Sequence, residues 1–107
     1  MTIHVNTDKN IEGSEKLTAY LTSFISEELS RFSKQITRVE VHLSDVNGPK
    51  EGLNDKRCMI EARLEGMKPI AVTNNANTHE QALEGAVEKL KISLDTIIGR
   101  LRNHLQQ

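Results

Sequence analysis

Asn74-Asn75-Ala76-Asn77-Thr78-His79-Glu80-Gln81-Ala82-Leu83-Glu84-Gly85-Ala86-Val87-Glu88-Lys89-Leu90 is the stretch on which the reading of this chain turns. The asparagine-rich opening predicts a turn. Thr78, followed three residues later by Gln81, predicts a capping box in which the Thr oxygen and the Gln side chain satisfy two free amides at a helix start. Ala82, Ala86, Val87, Leu90, Leu94, Ile97, Ile98, Leu101 and Leu105 then recur at helical spacing and form one apolar face, so the helix is expected to reach Leu105. Gly85 interrupts it at about 1 kcal/mol relative to Ala. Close packing against a sheet or another helix would account for its presence.

Working back from that helix, the pattern changes period. Val39, Val41 and Leu43 alternate with Arg38, Glu40, His42 and Ser44; Cys58, Ile60, Ala62 and Leu64 alternate with Arg57, Met59, Glu61, Arg63 and Glu65. Gly66-Met67-Lys68 makes a tight connection to Ile70 and Val72, so three antiparallel strands are expected with one apolar face. Earlier, Leu17, Tyr20, Leu21, Phe24, Ile25, Leu29 and Phe32 step by three and four, which predicts a helix capped at Ser14. Ile3 and Val5 alternate with Thr2, His4 and Asn6, predicting a short first strand. The expected fold is therefore α+β, in the order β-α-β-β-β-α, with a four-stranded sheet and both helices packed on the face of Val39, Val41, Leu43, Ile60, Ala62 and Leu64.

A chain of 107 residues, 36% of them hydrophobic, suits one compact domain over residues 1–107. No apolar run is long enough to span a membrane and no basic-then-apolar leader precedes Asn10, so a cytoplasmic location is expected. Cys58 is the single cysteine, which removes any intrachain disulfide or thiolate-pair motif. The net charge of −1 argues against indiscriminate attraction to nucleic acid. Within the last helix, however, Glu80, Glu84 and Glu88 precede Lys89, Lys91, Arg100 and Arg102, a gradient that suits the helix dipole or a basic contact surface at the chain's end.

No constellation for catalysis stands out. His42 and Cys58 have opposite strand parities, and His4, His79 and His104 lie on separate elements, so a closed metal site is not expected. His42, Ser44 and Asp45 are merely neighbours on one strand, without an adjacent oxyanion-stabilising turn. Asn47-Gly48-Pro49-Lys50 lacks the spacing of a phosphate loop. The charged sheet face interleaves Arg38, His42, Arg57 and Arg63 with Glu40, Glu61 and Glu65, which suits cross-strand ion pairs or guanidinium groups reserved for phosphates. Its lack of aromatic residues argues against base stacking on the strands. The long connection Asp45–Lys56, with Gly48, Pro49 and Gly52, reads as a mobile loop that orders on contact or as a plain spacer.

Two stretches then narrow the reading: Leu29-Ser30-Arg31-Phe32-Ser33-Lys34 and Gln81-Ala82-Leu83-Glu84-Gly85-Ala86-Val87-Glu88-Lys89-Leu90. With the element order, they resemble the ribosome hibernation-promoting factor and ribosome-associated inhibitor family, also called the sigma-54 modulation protein family, in a divergent short form. The resemblance covers nearly the whole chain. It implies a non-enzymatic, RNA-binding protein of the stress response, without cofactor or metal, that silences idle ribosomes by occupying the messenger and transfer RNA channel of the small subunit. The partners implied are the small ribosomal subunit and its rRNA, with no membrane, and weak self-association stays open. The family's basic positions carry over to Arg31, Lys34 and Lys89; Lys50, Lys56 and Arg57 are expected to add phosphate contacts from the loop and its end. The chain departs from the family pattern at Ile92 and Thr96, where members carry further basic residues, and at Glu80, where they often carry an aromatic. With the sequence ending at Gln107, the C-terminal dimerisation domain of long members is not expected. The competing reading is a protein-interaction module that kept the fold and lost ribosome binding.

Overall fold

The computed structural model describes residues 1–8, 14–46 and 53–105, the side chains of residues 14 and 101–105 excepted. The elements follow in the order β1 (Thr2–Thr7), α1 (Ser14–Glu28), a 3-10 turn (Ser30–Phe32), β2 (Ile36–Asp45), β3 (Lys56–Leu64), β4 (Ile70–Ala76) and α2 (His79–Leu105). The expected α+β order is thus present. The strands form one sheet in the order β1-β2-β3-β4, with β1 parallel to β2 and the other neighbours antiparallel.

Register explains why one sheet face is apolar. The rows Ile3–Val39–Ala62–Ile70 and Val5–Val41–Ile60–Val72 run across all four strands, and Thr7–Leu43–Cys58–Asn74 follows them. These residues face the helices, α1 lying over β1 and α2 over β3 and β4. Leu21, Ile25, Leu29, Leu83, Leu90 and Leu94, each fully buried, complete the core. Ile36 joins the same core although it lies three residues from Val39, an odd spacing that simple alternation forbids. A register shift between Ile36 and Arg38 absorbs the extra residue, and Thr37 Oγ1 donates to the Arg63 carbonyl at 3.1 Å.

The structure redraws two boundaries. The first helical pattern does not continue to Phe32: α1 ends at Glu28, and i+3 bonds from Phe32 N to Leu29 O and from Ser33 N to Ser30 O tighten the chain into the 3-10 turn. Phe32 remains buried, so the apolar stripe is continuous while the backbone is not. Asn74, Asn75 and Ala76 are strand residues rather than a turn, paired with Cys58, Arg57 and Lys56. Pairing and burial override the low strand propensity of Asn here. The tight β3–β4 connection forms as expected, with Gly66 at φ +74° and Met67 N donating to Leu64 O.

The start of α2 also follows its sequence. Thr78 Oγ1 accepts from Gln81 N at 3.1 Å and the Thr78 carbonyl accepts from Ala82 N at 2.9 Å, the Thr half of the capping box. At 27 residues the helix is about 40 Å long at 1.5 Å per residue. Its full burial stops at Leu94, so the remainder runs past the end of the sheet.

Candidate nucleic-acid interface

The cations expected at an interface divide between the two ends of the sheet. Arg31 lies in the 3-10 turn and Lys34 in the turn that leads into β2, whereas Lys56 and Arg57 open β3 beside Asp45 and Ser44 at the far end of β2. Ten strand residues separate the two groups, about 30 Å at 3.3 Å per residue. Lys50 lies outside the described residues.

At the first end, Arg31 Nη1 and Nη2 donate to Asp95 Oδ1 and Oδ2 at 2.8 and 2.9 Å, and the guanidinium sits 4.2 Å from the Phe32 ring centroid. This fork is bidentate and about half exposed on both sides. Its hydrogen bonds raise the Arg31 pKa and hold the Asp95 carboxyl below its ordinary value, in each case against an opposing loss of hydration. One turn earlier on α2, Lys91 Nζ lies 3.4 Å from Glu28 Oε1. Lys34 is exposed beside them, and no ion pair among the described residues engages it.

At the other end, Lys56 shares the inward parity of Cys58 and Arg57 the outward one, so these neighbours point to opposite faces. Lys56 Nζ donates to Asp45 Oδ2 at 2.6 Å and lies 3.3 Å from Asp55 Oδ1, and the Asp45 hydrogen bond is the main cause of its raised pKa. Asp55 is itself buried. Lys56 therefore clamps the two strand ends of the β2–β3 connection, aided by Val46 N donating to Asp55 O at 2.9 Å. Arg57 is exposed opposite Ser44 and Asn75, with no ion pair among the described residues. Lys89 stands apart from both groups: from α2 its Nζ donates to the Thr73 carbonyl of β4 at 2.8 Å.

The outward sheet face replaces the expected cross-strand ion pairs with pairs along each strand. Register sets Arg38 opposite Arg63 and Glu40 opposite Glu61, like facing like. Arg38 instead pairs with Glu40 on its own strand, and Arg63 Nε with Glu61 Oε1 at 3.3 Å. Partial burial works against the charge on Glu40, yet hydrogen bonds from Asn6 and Arg38 win and lower its pKa. One unbroken register from Arg38–Arg63 to Asp45–Lys56 decides this outcome, and the shift at Thr37 changes only the partner of Ile36.

The family model described as sigma 54 modulation protein / S30EA ribosomal protein matches residues 5–102. The chain belongs to this family. The S30EA fold is also that of two solved structures. The Thermus thermophilus Protein Y N-terminal domain superposes with a TM-score of 0.71 at 18% identity, over 91% of this chain and 99% of that one. A ribosomal subunit interface protein from Coxiella burnetii gives 0.68 at 14% identity, over 92% and 99%. Among curated proteins none matches the sequence significantly.

Among the described residues no group of three His, Cys, Asp or Glu side chains is placed to hold a metal, and no helix is long and apolar enough to cross a membrane. Cys58 is fully buried, which pushes its thiol up to about 12 and leaves it protonated at neutral pH. Sequence reasoning missed Asp95, the acid that holds Arg31, because a contact across 64 positions leaves no periodic trace.

Proposed function

We propose that this S30EA-family chain is a ribosome-binding hibernation factor, inhibiting translation by occupying the messenger and transfer RNA channel of the small subunit. The observation that carries this reading is the family match over residues 5–102, supported by a fold shared with a protein described as a ribosomal subunit interface protein. Arg31 and Lys34 are assigned the leading rRNA phosphate contacts, with Lys89 on α2 and with Lys50, Lys56 and Arg57 contributing where the RNA reaches them. Action in the cytoplasm, by occupancy rather than by catalysis, follows from the same reading.

A second reading is favoured by the internal engagement of the cations. Arg31, Lys56 and Lys89 each already bind an acid or a carbonyl within the chain, and the net charge is −1. On that account the domain is a protein-interaction module that kept the fold without ribosome affinity. Cosedimentation with ribosomes from starved cells separates the two. The first predicts pelleting at low salt that weakens as salt rises, because released counterions drive phosphate binding. Absence of pelleting at low salt would leave only the second.

A further inference from the structure

Both helices lie on one face of the sheet, and no element among the described residues covers the other. Register decides how the charges of that open face are laid out. Rows run across the strands: Thr2, Arg38 and Arg63; then His4, Glu40, Glu61 and Ala71; then Asn6, His42, Met59 and Thr73. One row is basic and the next acidic, about 7 Å apart at 3.4 Å per residue. Like charges directly opposite on neighbouring strands are unfavourable, so this layout destabilises the isolated domain. The pairs Arg38–Glu40 and Arg63–Glu61 along the strands offset part of that, yet the two arginine side chains stay 46% and 56% exposed. Their remaining donors point to solvent or to a partner.

We propose that this face joins two copies of the chain, stacked sheet to sheet about a two-fold axis that runs along the rows, between the basic one and the acidic one. Such an axis exchanges the rows. Arg38 of each copy then lies over Glu40 of the other, and Arg63 over Glu61, which gives four pairs of opposite charge across the interface. An axis along the strands would set arginine on arginine, so the charge layout selects a single arrangement. Two-fold dimers present the same patch from both sides, and that patch must be complementary to itself. These rows meet the requirement. A nucleic acid would meet the acidic row as well as the basic one, whereas a second copy matches both. Face-to-face sheets stack about 10 Å apart, a gap that an Arg and a Glu side chain bridge together. Four strands by four rows make a patch of roughly 20 by 25 Å, about 500 Å² per copy, short of the ~800 Å² of a standard interface. The dimer is therefore weak, and salt dissolves it. The inference goes beyond the ribosome-binding reading and does not rest on it.

Sedimentation velocity on the full chain, without ribosomes, tests the dimer and leaves the hibernation reading untouched. The protein should pass from monomer to dimer with a dissociation constant of about 0.1–1 mM, the weak class that so small a patch supports, and about 0.5 M salt should return it to monomer. Charge swaps then test the rows. Arg38→Glu with Arg63→Glu makes both rows acidic, and Glu40→Arg with Glu61→Arg makes both basic; each double variant alone should stay monomeric. Mixed in equal amounts, they should form heterodimers at least as tightly as the parent forms its dimer. NMR spectra of the unmodified protein should shift on concentration at Arg38, Glu40, Glu61 and Arg63 and stay fixed on the helices, a readout that needs no variant to fold. A parent that is monomeric at about 1 mM, double variants that each dimerise as the parent does, a mixture that fails to associate, or concentration-dependent shifts confined to other surfaces would overturn the proposal. Shifts at these four residues on adding oligouridylate to a protein that stays monomeric would give the face to RNA and overturn it as well.

Discussion

Asn74 on β4 lies directly beneath Gly85 on α2. Its Nδ2 donates to the Ala82 carbonyl at 3.2 Å, and a Cβ placed on residue 85 would overlap that amide, coming within 2.7 Å of its Cγ. The glycine is thus a requirement of the sheet–helix approach. Intrinsic propensity alone favours Ala over Gly by about 1 kcal/mol in a helix interior. Steric overlap should reverse the sign. Gly85→Ala is expected to destabilise the fold by about 1–3 kcal/mol, the usual range for overpacking, read as a lower urea midpoint with an unchanged slope. Asn74→Ala added to Gly85→Ala removes the clashing amide and should recover most of the loss. A stabilised single variant would show that the contact relaxes freely.

His79, the first residue of α2, should make the fold acid-sensitive. Its Nδ1 is buried without a partner among the described residues, and loss of hydration, followed by repulsion from Lys56, lowers its pKa below the ordinary 6.5 against the weaker pull of Glu80, Asp45 and Asp8. The folded state then binds fewer protons than the unfolded one between the two pKa values, so stability rises with pH across that window. The contribution is complete above about 6.5 and lost as pH falls through the folded value. Melting temperature should decline from pH 7.5 to 5.5, and His79→Gln should flatten the decline. An equal slope in that variant would assign the acid sensitivity elsewhere.

How far the fold was legible follows from what periodicity records. Val39, Val41 and Leu43 announced an inward face, and Thr78 with Gln81 announced a helix start, because alternation and capping are local in sequence. Asn74 gave the opposite signal from its place in β4, since its strand conformation is imposed by Cys58 and by α2 rather than by its neighbours. The bulge at Thr37 was hidden likewise, and so was the strand register that sets Arg38 opposite Arg63 and Glu40 opposite Glu61. Arg31 and Lys34 were legible as candidates only through family resemblance. Their surroundings, Asp95 for one and a cavity shared with Leu64, Met67 and Ile98 for the other, depend on chain crossings that no pattern in the residues encodes.

Cys58 offers a direct report on the core. Its row in the sheet lies between Leu43 and Asn74, and burial pushes the thiol up to about 12. The thiolate is the reactive species, and an unperturbed cysteine ionises near about 8.5. At pH 8 a disulfide-exchange reagent should therefore react with the native protein only through its rare unfolded molecules, and with the urea-unfolded protein at once. The native rate should rise with urea in parallel with unfolding. Fast labelling without denaturant would show that the β2–β4 core opens locally.

Arg31 and Asp95 set the last test, because the acid that orders the guanidinium also opposes the phosphate assigned to it. The fork occupies one N–H on each terminal nitrogen, leaving further donors available for RNA, while the Asp95 charge stays within hydrogen-bond distance. Asp95→Asn preserves shape and removes the repulsion. Pelleting with ribosomes should then strengthen by about fivefold, the scale of a single partly screened charge. Arg31→Ala should weaken it and make the salt dependence shallower, since one phosphate contact fewer releases fewer counterions. The double variant should gain nothing from Asp95→Asn, because the benefit acts through Arg31. If Asp95→Asn strengthens binding equally with and without Arg31, the acid repels RNA generally and Arg31 makes no phosphate contact of its own.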